Sequence, residues 1–384
     1  SSKQQETMSI FSSIGGRLFS IIKNTLIIIT WIIGAILIIS AYCGYCNPKD
    51  SARVAILGMI FPIMLYSSIA ILAIWLIFRK WLMALLVIAF MAACWDPILT
   101  FSPFNIGNSA TTPSDKTFKV LTYNVMNFAS ENYQKDTGND KALQYILNED
   151  ADIVLLQEAS AQVKMDELTP LKNMLPILDK KYPYRDKNIH DLIILSKYPY
   201  EVTSYHITEN APNKSIAYKV TMDSVTLHFI NVHLESIRLN DSDKALYRSI
   251  TDISKSPNNI SEKTVEDVKS TLLTKLAKAF KRRANQAEDL KRYITSLGDE
   301  NIILCGDFND TPYSYSYLTI KGDDMEDAYK NCALGPAITF HANRFYFRID
   351  HILYKGKNIE AIDIKRGDEK HSDHYPLTAT FKWK

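Results

Sequence analysis

Eight polar side chains stand at or inside short β-type runs of this 384-residue chain: Asn124, Glu158, His233, Asp307, Asn309, Asp350, Asp373 and His374. Three aspartates, one glutamate, two asparagines and two histidines, without a thiolate, form an oxygen-rich donor set. Such a set suits a hard divalent cation, Mg²⁺ first and Mn²⁺ as a substitute, with positions left open for water. A cation so held offsets phosphoryl charge while a general base activates water, which is the chemistry of phosphoester hydrolysis. The organising stretch is NIILCGDFNDTP, residues 301–312. Its apolar run reads as a strand buried on both faces, and Gly306 breaks it so that Asp307 and Asn309 sit where the strand emerges. By itself GDFN is more often a turn, but further segments of the same build count against that reading.

Those segments supply the positioning elements. FKVLTYNV (118–125) ends near Asn124, and ADIVLLQEAS (151–160) delivers Gln157 and Glu158. HDLIILSKYP (190–199) and VTLHFINVHLES (225–236) follow, the latter with His228 and His233 inside it. His228 has no supporting context and reads as an ordinary strand residue. FYFRIDHILY (345–354) places Asp350 and His351, and HSDHYPLTATF (371–381) closes the chain with Asp373 and His374 ahead of a last strand. A helix is expected over 141–148. A longer helical excursion is expected over 238–298, where Leu272, Leu276, Phe280, Ala287, Leu290, Ile294 and Leu297 form one apolar seam ended by Gly298. Opposite the seam lie Lys269, Lys275, Lys278, Lys281, Arg282 and Arg283, either a solvated helix face or a surface for anionic lipid or another polyanion.

The first hundred residues differ sharply from the rest. Residues 25–46 contain no charge over 22 positions and residues 54–78 none over 25, each enough to cross about 30 Å of hydrocarbon. Residues 81–101 form a third, weaker candidate span. The reading is therefore three transmembrane helices, at about 25–46, 54–78 and 81–101. They are preceded by a segment 1–24 with a short interfacial helix, in which the polar stretch ahead of Met8 lies outside the fold. A modest excess of Lys and Arg at Arg17, Lys23, Arg79 and Lys80 puts the amino terminus inside, so that three crossings leave the remainder extracytoplasmic, or periplasmic in a bacterial inner membrane. Residues 102–117 read as a linker reaching at most about 50 Å. Residues 1–115 hold 7 Lys or Arg against 4 Asp or Glu, leaving 37 against 38 beyond; the globular part has no overall electrostatic footprint for nucleic acid. Five scattered cysteines make no disulfide scaffold.

From residue 118 to the end the chain resembles the endonuclease/exonuclease/phosphatase superfamily. The resemblance rests on seven ordered motifs: YNV (123–125), QE (157–158), LSKYP (195–199), NVHL (231–234), GDFN (306–309), RIDHIL (348–353) and SDH (372–374). It implies a four-layered α/β sandwich of two packed mixed sheets over 118–384, with the active site at one edge. It also implies roles: Glu158 as the main Mg²⁺ ligand, helped by Asn124 and Asp373; Asp307 and Asn309 positioning or activating the attacking water; His374, oriented by Asp350, as base or charge stabiliser; and His233 on the scissile phosphate or leaving group. Met126 replaces the acidic residue that abasic-site endonucleases carry there, and no basic residue follows the QE pair, which lowers the case for DNA. The expectation is a membrane-anchored phosphodiesterase acting on lipid headgroups. The alternatives are an extracytoplasmic nuclease and a non-catalytic binding protein of the same fold. Protein partners are not legible.

Overall fold

The computed structural model describes residues 2–106, 116–129, 140–159, 169–186, 191–205, 215–237, 262–342 and 346–384. Two mixed sheets of six strands each dominate it. The first has the order β11-β12-β1-β2-β4-β3, with β1 Thr117–Asn124, β2 Ile153–Gln157, β3 Tyr184–Arg185, β4 Ile193–Ser196, β11 Ile359–Arg366 and β12 Leu377–Trp383. The second has the order β5-β6-β7-β8-β10-β9, with β5 Tyr200–Tyr205, β6 Ser215–Met222, β7 Val225–His233, β8 Asn301–Asp307, β9 Glu326–Asp327 and β10 Asp350–Lys355. Each sheet has one parallel pair at its centre, β1 with β2 and β7 with β8. Parallel neighbours end on the same side, so four strand ends open at one rim.

The pleat decides what those ends present. Inward-facing residues recur with period two: Phe118 and Val120 on β1, Ile153 and Leu155 on β2, Leu227 and Phe229 on β7, Ile303 and Cys305 on β8, Ile352 and Tyr354 on β10 all join one core between the sheets. Continued toward the rim, the same files reach Thr122 and Asn124, Gln157, Asn231 and His233, Asp307, and Asp350. The sandwich is thus apolar below and polar at the mouth. Helices cover the outer faces, giving the expected four layers. Lys141–Glu149, capped by Asp140 at 2.7 Å, and Thr169–Lys181 pack on the first sheet. The long helix Glu262–Ser296 and the short Tyr315–Lys321 pack on the second. Of the basic run, Arg282 pairs with Glu235 at 2.6 Å and Arg283 with buried Asp310 at 3.0 Å, so these two cations serve internal contacts rather than a free polyanion surface.

The amino-terminal segment is a helical bundle of α1 Ser2–Tyr42, α3 Phe61–Ile77 and α4 Trp81–Ala93, with α2 Pro48–Gly58 and α5 Trp95–Phe101 at the end that meets the sandwich. Inside it, Trp75 donates to Thr30 Oγ1 at 3.0 Å, and Trp31 meets Phe90 edge to face. The structure draws no separate interfacial helix, because α1 runs unbroken through residues 9–22. One stretch, Ser20–Tyr45, is long and apolar enough to cross a membrane as a continuous helix. The other two expected spans are bent pairs, α2 with α3 at 43° and α4 with α5 at 69°. Proline explains the second bend: Pro97 has no N–H to offer the Ala93 carbonyl, which instead accepts the Tyr42 hydroxyl at 2.5 Å.

Both bends meet the sandwich directly. Tyr313, buried, packs at a tilt on Phe61, 4.8 Å between ring centroids. Gly44 lies so close that an added Cβ would sit 2.3 Å from the Tyr313 carbonyl oxygen. Asn47 and Lys49 reach Glu288, at 3.1 and 2.6 Å. Lys330 pairs with Asp96. Buried Arg348 donates to the Thr100 carbonyl at 2.8 Å and to Asp327 Oδ2 at 3.1 and 3.2 Å, while stacking over Tyr329. Burial opposes ionisation of Asp327, yet the Arg348 guanidinium outweighs it and holds the carboxyl below its ordinary range. Residues 102–106, expected within a linker, are stitched to the domain: Asn105 Nδ2 donates to the Lys330 and Ala333 carbonyls, both at 2.9 Å.

Two substitutions test this framework. Gly306 has φ +146°, and a Cβ there would stand 1.9 Å from the Val232 carbonyl oxygen. Gly306→Ala should therefore destabilise the domain by about 3 kcal/mol or more, read as a lowered thermal midpoint in detergent. Arg348→Met leaves Asp327 buried and unpaired and should cost about 3–5 kcal/mol; an unchanged midpoint would show the ion pair to be dispensable.

Candidate active site

Strand register assembles half the site before any side chain is considered. His233 on β7, Asp307 on β8 and Asp350 on β10 lie in one row across three neighbouring strands. Cross-strand partners share a face, so these side chains project together into the mouth. On the facing sheet Asn124 and Gln157 are partners in the same way. The carboxylates of Asp307 and Asp350 and the His374 imidazole form a buried group whose ligand atoms lie within 4.8 Å of one another. His374 Nδ1 is 2.9 Å from Asp350 Oδ2, and its Nε2 faces Asp307 Oδ2 at 3.6 Å.

Glu158 joins through two contacts. The Asn124 amide donates to Asp307 Oδ2 at 3.1 Å and to Glu158 Oε1 at 3.3 Å, spanning the gap between the sheets. His233 Nε2 lies 3.8 Å from Glu158 and 3.6 Å from Asp307. The Glu158 backbone is left-handed at φ 51°, which turns its side chain back to the rim although β2 has ended. Met126, Asn127, Phe128 and Asn309 also have positive φ, so most of the non-glycine residues with this costly geometry border the site. Two of these segments hold each other, Asn127 N–H donating to the Glu158 carbonyl at 2.7 Å. Asn309 is fixed by its own donation to the Leu234 carbonyl at 3.0 Å, and its N–H donates to Asp307 Oδ1 at 2.7 Å.

All eight expected residues therefore border one rim, with two qualifications of position. Asp373 stands outside the tight group; its carboxylate accepts from Ser372 Oγ at 3.4 Å. Asn124 presents its N–H₂ to the carboxylates while its carbonyl oxygen accepts from Met126 N–H at 3.1 Å, so service as an oxygen ligand requires the amide to turn. His228 faces Glu300 at 4.0 Å, away from the site, as an ordinary strand residue.

Four supporting residues, three of them inside the quoted motifs, were not among the candidate site residues. Gln157 donates to Asn231 Oδ1 at 2.7 Å, and Asn231 donates to the Leu156 and Ile193 carbonyls, a buried amide bridge between the two sheets. Ser372 Oγ donates to the Asn124 carbonyl at 2.7 Å and accepts from His374 N–H at 3.1 Å, tying the SDH triplet to β1. Thr339 Oγ1 accepts the Ile349 and Asp350 amides at 2.9 and 3.1 Å. The inward period of two marks Gln157 and Asn231 in the sequence, and the SDH motif marks Ser372; nothing local marks Thr339.

The electrostatics follow from this crowding. Burial raises the Asp307 pKa, partly opposed by His374 and His233. Burial alone would lower His374, but Asp350 and then Asp307 outweigh it and push its pKa up to about 10. Three carboxylates thus face one well-compensated imidazole, and the buried His233 Nε2 has no hydrogen-bond partner. That surplus of negative oxygen donors, with an unpartnered nitrogen among them, fits a divalent cation.

These features define a sandwich with an acidic, imidazole-lined mouth suited to phosphoester chemistry. The chain belongs to the endonuclease/exonuclease/phosphatase family, whose model matches residues 121–374. Residues 23–101 match a second model, a domain of unknown function. Similar solved structures include an endonuclease/exonuclease/phosphatase family protein from Bacteroides thetaiotaomicron, 17% identical, covering 71% of this chain and 99% of that one at a TM-score of 0.44. The human Nocturnin catalytic domain with bound sulfate is 16% identical, covering 70% and 96% at 0.45. Humanized D. rerio TDP2 is 17% identical, covering 69% and 98% at 0.44. Among curated proteins none matches.

A pH experiment tests the His374 environment. Its folded pKa lies above the value of about 6.5 expected in an unfolded chain, so its stabilising contribution is complete below about pH 6.5 and is lost as pH rises toward about 10. In chelator-treated protein the thermal midpoint should decline over that window, and Asp350→Asn should flatten the decline. An identical slope in the variant would remove Asp350 as the cause.

Proposed function

We propose that this chain is a membrane-anchored phosphodiesterase that hydrolyses headgroup phosphodiesters of lipids using Mg²⁺, with Mn²⁺ able to replace it. The observation that carries the hydrolytic part is the meeting of Glu158, Asp307, Asp350, His233 and His374 at one rim. In this reading Glu158 would hold the cation, with Asn124 and Asp373 assisting; when bound, such a cation would supply charge compensation for the phosphoryl oxygens. Asp307 and Asn309 orient the attacking water. The Asp350 carboxylate keeps His374 Nδ1 occupied, leaving Nε2 as the atom that exchanges a proton or stabilises developing charge. His233, at the mouth, contacts the phosphate or the leaving group.

The lipid assignment is supported by the apolar amino-terminal bundle and by its direct attachment to the loops bordering the site. An extracytoplasmic, inner-membrane location with three crossings agrees with both bends lying at the catalytic-domain end of the bundle. Nuclease activity is the second reading, and the TDP2 structure bound to a single-strand DNA product is a likeness of fold only.

The test is a panel of lipid headgroup diesters in mixed micelles and of plasmid and single-stranded DNA, with Mg²⁺, Mn²⁺ or chelator. Headgroup release should require the cation, and Glu158→Gln should lower turnover by about 100-fold or more while leaving the thermal midpoint near wild type. Turnover that survives chelation, or DNA cleavage without headgroup release, would overturn the lipid phosphodiesterase.

A further inference from the structure

Between the anchor and the site runs a strip of exposed large apolar side chains: Phe104 (71% exposed), Ile106 (72%), Leu334 (63%), Ile338 (40%) and Tyr346 (57%). Isolated apolar residues on a surface are ordinary, but these are linked through the backbone. Phe104 and Leu334 face each other in an antiparallel bridge, and Gly335 N–H donates to the Pro103 carbonyl at 2.7 Å. Thr339 and Phe340 pair with Phe347, fixing Ile338 and Tyr346 to either side of one short ribbon.

That ribbon also borders the candidate site. Thr339 Oγ1 receives the Asp350 amide, and the Phe340 ring packs on the His374 imidazole at 5.0 Å. The ribbon that carries Ile338 and Tyr346 thus also touches the site, through Thr339 and Phe340. At its other end the strip continues into the anchor. Phe104 follows Phe101, the last residue of α5, by three positions, and Arg348 ties this end of the ribbon to the Thr100 carbonyl. Tyr45 and Trp95, both exposed, stand at the same end of the bundle, where amphipathic aromatics mark the boundary between hydrocarbon and headgroups.

We infer that this strip beds into the interfacial layer of the bilayer that holds the anchor, setting the site mouth at headgroup depth. The inference rests on the membrane-anchored reading above and names the surface by which the domain meets its lipid. The occupant follows from continuity: the strip begins on a segment hydrogen-bonded at both ends, so a bilayer around α1, α3 and α4 lies beside it without any hinge to swing it away. It also follows from chemistry, since all five side chains are apolar or amphipathic.

Full-length protein in nanodiscs, with a photo-crosslinking benzoyl-phenylalanine at Leu334 or Ile338, reads the contact without reference to activity. Adducts with acyl-chain-labelled lipid should form at both positions, as at lipid-facing Ile77, and not at Lys357 in the β10–β11 turn. Labelling no stronger than at position 357, or cross-linking to a second protein copy instead, overturns the inference. In a second arm, the Leu334→Glu and Ile338→Glu double variant should hydrolyse a water-soluble short diester at the wild-type rate and a bilayer-resident lipid about tenfold more slowly. Equal loss on both substrates overturns the inference, because it would mean the side chains hold the ribbon rather than the bilayer. Lipid adducts from a wild-type protein that turns over no lipid leave the seating standing and remove the lipid substrate.

Discussion

The structure depends on the pleat of two sheets packed face to face. Because inward side chains recur every second residue, β1, β2, β7, β8 and β10 each contribute one file to the space between the sheets. Those files are apolar from Phe118, Ile153, Leu227 and Ile303 upward until they change character near the rim. The apolar part excludes water and the polar part inherits a low-dielectric floor. Charges there interact strongly, which is why the Asp350 and Asp307 carboxylates together outweigh the burial that opposes ionisation of His374.

A polar mouth over an apolar core needs bracing, since carboxylates crowded in this way repel. The bracing is made of neutral groups. Asn124 shares its amide between Asp307 and Glu158, and Gln157 with Asn231 spans the sheets beneath them. The left-handed turn at Met126–Phe128 is fastened to the carbonyl of Glu158. Local backbone cost is therefore concentrated where side-chain direction matters and is offset by the packed sheets below.

The amino-terminal helical bundle is part of the same construction. The loop that begins at Asp307 passes through Asp310, held by Arg283, and reaches Tyr313 on Phe61. The ribbon that ends at Asp350 passes through Arg348 on Thr100. Two loops bordering the site thus also grip the helical bundle. A rigid mount of this kind fixes how the site faces whatever surrounds α1, α3 and α4.

Much of this was legible in residue order. The buried strands, the eight polar residues at their ends, the family and the apolar character of residues 25–101 follow from runs, spacing and motifs, because hydrophobic period and hydrogen-bonding type are properties of short segments. Other features required the folded chain. Arg282 and Arg283 read as part of a basic surface until Glu235 and Asp310, distant in sequence, were found beside them. The docking of residues 102–106 depends on the Lys330 and Ala333 carbonyls, supplied from far along the chain. Thr339 is an unremarkable threonine until tertiary contacts give its hydroxyl a task. The sequence by itself determined which groups were available and on which face of each strand they would lie. Only the tertiary structure decided which of them met, because distance between strands is set by packing and register rather than by order along the chain.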